Sequence, residues 1–167
     1  VGSVRNRFDI VRAEALDLAA MFAVQSGRNS EAILWAQRSR DEARACGATL
    51  TLTRSLSTLG LARVHATGSP DGIEDIRESF REAAALGNHR QQVVALNNQA
   101  VALNALGMPV AAVDRAHEGL VIVAERGVAE LDAPLNHNLA EALAGCGRLR
   151  EASQAATKAA AAFAALG

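Results

Sequence analysis

Glycine recurs along this chain with a fixed period. Gly47, Gly87, Gly127 and Gly167 stand forty residues apart, and Gly27, Gly107 and Gly147 stand twenty before three of them, with Gly68 displaced by one place in the remaining copy. Self-similarity at such a period marks a repeat architecture, in which one supersecondary unit stacks on the next. A glycine halves each repeat, so each consists of two elements of similar length.

Those elements read as helices. Between residues 90 and 106, Val93, Leu96, Ala100 and Leu103 recur at steps of three and four, which places them on one helical face, and Val113, Ala116, Leu120 and Val123 do the same between 110 and 126. A glycine just past each helix suits the left-handed C′ position, where a Cβ is strained. Pro70 and Pro109 follow glycines by two residues, where the first turn of a helix tolerates a missing N–H, and Ser69 is a good N-cap before Pro70. No run of alternating β-branched residues competes. The chain is therefore expected to be all-α, with eight helices in four antiparallel pairs at about 8–47, 48–87, 88–127 and 128–167.

Small residues keep the same register. Ala20, Gly60, Ala100 and Ala140 form one column, Ala32, Gly72, Ala112 and Ala152 a second twelve residues on, and Ser39, Ser79, Gly119 and Ala159 a third seven further. Small side chains at these points let paired helices approach closely. Leu16, Leu56 and Leu96 form a large apolar column from which Asn136 departs. These offsets resemble the small-residue signature of the tetratricopeptide repeat (TPR). The forty-residue period and phrases such as ALNNQAVALNALG and LNHNLAEALAGCGRLREA look like its long form, found in kinesin light chains and in the sensor domains of large bacterial LuxR-type ATPase regulators. The resemblance covers nearly the whole chain and implies a right-handed superhelical solenoid, a scaffold that serves many partners.

The resemblance also implies that the first helix of each pair lines a concave groove. Carried over residue by residue, the groove comprises Glu14, Asp17, Met21, Val24 and Gln25, then Arg54, Ser57, Leu61, Val64 and His65. The third pair gives Val94, Asn97, Asn98, Val101 and Asn104, and the fourth His137, Asn138, Glu141 and Ala144. In the long-repeat families asparagines at the places of Asn98 and Asn138 often hold a bound peptide's backbone. An amide side chain offers both a donor and an acceptor, so it can pair with a peptide unit whatever the sequence. Equally, such asparagines bond to their own helix backbone or to water. Leu18 and Thr58 hold the matching places in the first two repeats, which confines any clamp to the C-terminal half.

Other chemistry is thinly represented. Trp35 is the only tryptophan, and its column, Asp75, Arg115 and Ala155, reads as solvent-facing. It marks an interface or, the favoured reading, covers Phe8 or Phe22, while Phe22 fills space that a preceding repeat would otherwise occupy. His65, His89, His117 and His137 form no HExxH or other zinc spacing, so no metal is expected. Cys46 and Cys146, a hundred residues apart, suit neither a disulfide framework nor a zinc knuckle and read as buried thiols. No phosphate loop, nucleophile elbow or paired-carboxylate motif occurs. The GSPDG phrase at 68–72 follows a helix rather than a strand and reads as a connection.

A net charge of −1, from 17 basic and 18 acidic residues, argues against a nucleic-acid interface that neutralises phosphates. With no apolar stretch long enough to span a bilayer and no signal peptide, a cytoplasmic protein is expected. The start at Val1 and the weakly charged last helix, ATKAAAAFAAL, read as part of a larger chain, with exposed apolar ends that favour another repeat or a homodimer. Sixteen arginines to one lysine, with 37 alanines, hint at a GC-rich bacterial source. The expected function is non-catalytic and needs no cofactor. The module binds a protein or peptide along the groove, within a transcriptional regulator or signalling protein; a small-ligand sensor controlling an attached ATPase or DNA-binding module, or a self-association scaffold, is the alternative.

Overall fold

The structure, a computed structural model, describes the backbone of residues 2–165 and the side chains of residues 6–165. It contains eight α-helices among the described residues and no strand: α1 Gly2–Gln25, α2 Asn29–Cys46, α3 Thr49–Thr67, α4 Asp71–Ala85, α5 His89–Ala105, α6 Pro109–Arg126, α7 Asp132–Gly145 and α8 Leu149–Ala165. The all-α helical-repeat class is as expected. Seven of the eight glycines in the two series take φ between 62° and 75°, the left-handed conformation that ends each helix and turns the chain. The eighth, Gly167, lies outside the described residues.

Local chemistry sets the helix starts. The Asn88 side chain accepts a hydrogen bond from the Gln91 N–H at 3.1 Å, and Pro109 opens α6. Ser69 Oγ accepts from the Asp71 N–H at 3.3 Å, so GSPDG is a capped connection between α3 and α4. The fourth repeat departs from the others. Pro134 cannot donate a helical hydrogen bond and must sit in a first turn. Accordingly α7 begins at Asp132, preceded by a 3-10 turn, Ala129–Leu131.

The chain divides into two compact units, Val1–Leu86 with α1–α4 and Gly87–Gly167 with α5–α8. In each, helices pack on their neighbours in chain order, and the two first helices also meet, α1 on α3 and α5 on α7.

Within the first unit the small columns lie at the helix contacts. Ala20, Ala32, Gly60 and Gly72 are all buried, and α3 crosses α4 so closely that a Cβ on Gly60 or Gly72 would collide with the other's carbonyl oxygen. The third column supplies hydroxyls: Ser39 Oγ donates to the Ala13 carbonyl at 2.8 Å, and Ser79 Oγ donates to the Thr53 carbonyl at 2.6 Å. Both bonds are buried and each joins the two helices of a pair, one repeat apart in the same register. In the second unit the same columns hold Ala100, Ala112, Gly119, Ala152 and Ala159, also buried, and Ala140, which is half-buried. Gly119 leaves room for Leu135, which forms a core cluster with Val93 and Val123.

The structure corrects three expectations. The Trp35 column faces inward: Trp35 is half-buried against Ala20, Ala36 and Leu59, Arg115 is half-buried, and Asp75 and Ala155 are buried. Asp75 accepts a hydrogen bond from Arg63 of α3, which brings a charged residue to an inner face. Trp35 does not cover Phe8 or Phe22, both of which are largely exposed, and Phe22 fills no internal space because no described helix precedes α1. Arg38 instead stacks over the Trp35 ring, 5.6 Å from its centroid. Finally, Cys46 and Cys146 are free but half-buried, since both lie at helix ends.

Candidate interaction surfaces

Among the residues read from the sequence as groove-lining in the first unit, Asp17 lies in the interior and Arg54 is half-buried beside it. Asp17 on α1 is fully buried, and Arg54 Nη2 of α3 approaches its Oδ2 to 2.7 Å, although out of line for a hydrogen bond. Neither carboxylate oxygen of Asp17 accepts a hydrogen bond. Loss of solvation pushes its pKa up to about 6; the Arg54 charge pulls against that shift and the Glu14 charge adds to it. Arg54 also points Nη2 at the Met21 sulfur, 3.8 Å away. It is thereby engaged within the protein, by Asp17 and Met21 of α1.

Ser57 and Val64 are buried too, while Leu61, Met21 and Val24 are half-buried and Glu14, Gln25 and His65 are exposed. The contact between α1 and α3 runs along part of the predicted groove, which accounts for the buried members.

In the second unit, α5 and α7 gather the asparagines into one network. Asn138 Nδ2 donates to Asn97 Oδ1 at 2.8 Å; Asn104 Nδ2 donates to the Asn138 carbonyl at 3.1 Å and reaches Glu141 Oε2 at 3.4 Å. Asn138 is buried, and its amide is committed to holding α7 against α5. Asn97, Asn98, Asn104, Val94 and Val101 are half-buried, whereas His137, Glu141 and Ala144 are exposed at the edge. Of the residues singled out from the sequence, the fold thus brings Asn97, Asn104, Asn138 and Glu141 together.

A second feature was not foreseen. Asn136, where the other repeats have leucine, is buried and donates through Nδ2 to the Asp132 carbonyl at 3.0 Å. It lines an open cleft of about 510 Å³ with Leu120, Val123, Asp132, Ala161 and Lys158, the only lysine in the chain. Departure of Asn136 from its leucine column was the available signal.

Among the described residues no three His, Cys, Asp or Glu side chains converge as metal ligands, and no helix is long and apolar enough to cross a membrane. In comparison with known proteins, the chain matches no family description and no curated protein.

Proposed function

We propose that this chain is a non-catalytic interaction module of the long tetratricopeptide type, which binds a segment of a partner protein or peptide on the surface formed by α5 and α7. The observation that carries the reading is the hydrogen-bonded set Asn97, Asn104, Asn138 and Glu141, bordered by exposed His137. A network that fixes two adjacent helices gives its exposed rim a defined geometry, and a pre-ordered rim loses less entropy when a partner docks. Glu141 and His137 then discriminate among partner side chains, and Asn98, half-buried on α5, lies on the same stretch. The forty-residue columns support the repeat type, and the likeness to sensor segments of bacterial regulators supports a place in transcriptional control. Free thiols at Cys46 and Cys146 suit a reducing, cytoplasmic compartment.

The test is a peptide-library selection followed by solution titration of the binders. His137→Ala combined with Glu141→Gln should weaken binding at least tenfold while the helical circular-dichroism signal stays constant. Unchanged affinity would move the partner site elsewhere.

The cleft beside Asn136 favours a second reading, in which a small anionic ligand binds near Lys158, since ligand sites commonly have volumes of this order. Thermal shifts with a library of carboxylates and phosphates, repeated on Lys158→Ala, separate it from the first: this reading needs a shift that the variant abolishes.

A further inference from the structure

Helix α1 carries an apolar row that nothing in its own unit covers. Phe8, Val11, Ala15, Leu18 and Phe22 follow one another at steps of three and four, and Phe8 is 73% exposed, Val11 60%, Leu18 56% and Phe22 69%. Such spacing is the seam along which one helix packs on another. Single exposed apolar side chains are ordinary; five in one row are not.

The repeats themselves show what covers this row. One repeat on, the same columns fall on Ala48, which precedes α3, and on Thr51, Ser55, Thr58 and Ala62 of α3, and all but the half-buried Ala48 are buried. There α2, the second helix of the preceding pair, lies over α3, with Ala32 packed on Ala62. In the second unit the columns recur as Leu131 of the 3-10 turn and as Leu135, Asn138 and Ala142 of α7, and α6 lies over that helix through Val123 and Leu120. In both units, therefore, this face of a first helix is occupied by the second helix of a preceding pair.

Helix α8 is a second helix whose corresponding face is open. Ala156, Ala160 and Phe163 are exposed, Phe163 by 51%, whereas their equivalents one repeat earlier are buried Ala116, half-buried Leu120 and buried Val123. On α2 the equivalents of Ala156 and Phe163 are Ala36 and Ala43, which pack against Leu59 and against Leu52 and Leu56 of α3. Sizes are complementary as well. The α1 row carries bulky Phe, Val and Leu where α3 carries Ala, Thr and Ser, and the open face of α8 offers Ala160 where α6 offers Leu120, with Phe163 in the place of Val123. The bulky α1 side chains thus meet small Ala156 and Ala160 along most of the α8 face, as close helix packing requires.

We propose that α8 of one copy docks on α1 of a second copy, reproducing between molecules the α2-on-α3 and α6-on-α7 contacts found within each unit. The two faces are different, so each contact uses the α8 face of one copy and the α1 row of the other. This surface is distinct from the one formed by α5 and α7, and the two proposals stand or fall separately.

Two single substitutions test it, both at exposed positions. Leu18→Glu blocks the α1 face and Ala160→Glu blocks the α8 face; Phe22→Asp is the second choice for α1, and circular dichroism verifies the fold of each. In sedimentation velocity over a wide concentration series, the unaltered protein should show a mass that rises with concentration, and each variant alone should remain a monomer. An equimolar mixture of the two should form a one-to-one dimer and nothing larger, because Leu18→Glu retains an open α8 and Ala160→Glu an open α1. Monomeric unaltered protein throughout would overturn the proposal. So would a mixture that stays monomeric, or an Ala160→Glu variant that still self-associates through α1 alone.

Discussion

The two units join their first helices by different chemistry at equivalent places. In the first, the buried Asp17 of α1 pairs with half-buried Arg54 of α3; in the second Asn97, eighty residues on from Asp17, accepts a hydrogen bond from Asn138 of α7. A charge removed from water is costly unless it is fully compensated, and Asp17 has a cation beside it but no hydrogen-bond donor. Two neutral amides incur no such penalty. The first unit is thereby sensitive to pH at this junction and the second is not. A similar contrast runs through the third small column, where Ser39 and Ser79 bond to backbone carbonyls in the first unit while Gly119 accommodates Leu135 in the second.

Breaking the charged junction gives the largest expected effect. Arg54→Ala strands the Asp17 carboxylate, and loss of one partner from a buried pair costs about 3–5 kcal/mol. Hydrogen exchange resolved by peptide should show residues 1–86 opening more readily at pH 8 than at pH 5, where Asp17 takes up a proton and most of the loss is avoided. Exchange in 87–167 that changes equally would refute a difference between the units.

Gly72→Ala comes next. Its Cβ would strike the Gly60 carbonyl, backbone that cannot give way without parting α3 from α4, at a cost of about 3 kcal/mol by the precedent of overpacked cores. The reverse change at the matching position of the second unit, Ala112→Gly, costs only about 1 kcal/mol of helix propensity plus a small loss of packing. Urea unfolding of the two variants checks the order.

Removing the charge while keeping the shape sharpens the comparison. The folded carboxyl of Asp17 holds its proton up to about pH 6 and the unfolded one only to its ordinary value near 3.8. Between those values the folded state binds more protons, so stability falls as pH rises through the window and is level above it. The fall attributable to this group is at most about 3 kcal/mol. Asp17→Asn should abolish that decline and raise the melting temperature at pH 8. A variant melting lower than the parent at pH 8 would mean that the Arg54 attraction outweighs desolvation.

The smallest effect belongs to the amide junction. Asn138→Ala removes one buried hydrogen bond and should destabilise the second unit by about 1–2 kcal/mol, equally at pH 5 and pH 8. Thermal melts at the two values check both the size and the flatness.

The sequence revealed much of the fold because the glycine series and the small columns act locally, through backbone conformation and helix contact. Gly47 and Gly127 end helices through their own φ, and Gly60 and Gly72 permit close approach because neither has a Cβ. Pro134, by contrast, displaces the start of α7, a shift that a fixed period hides. The junctions were harder to read. Asp17 and Arg54 look like surface charges when each helix is considered alone, and a cation from a neighbouring helix decides that they are not. Separation was the overlooked clue: Arg54 lies 37 residues after Asp17, Glu141 lies 37 after Asn104, and Asn138 lies 41 after Asn97. Those intervals are one repeat give or take a helical turn, and that is the distance at which adjacent first helices meet. Trp35 was misplaced for a related reason, since its column faces a partner helix and not solvent.

The left-handed glycine reversals have a consequence for folding rate. Because each returns the chain at once against the helix it has just completed, contacts form mainly between neighbours in sequence, and little loop entropy is lost before the first packing is gained. A chain organised in this way has low contact order. Its helix hairpins can nucleate independently and spread by neighbour-to-neighbour docking, so refolding should be fast, and a lesion in one unit should leave the nucleus of the other intact.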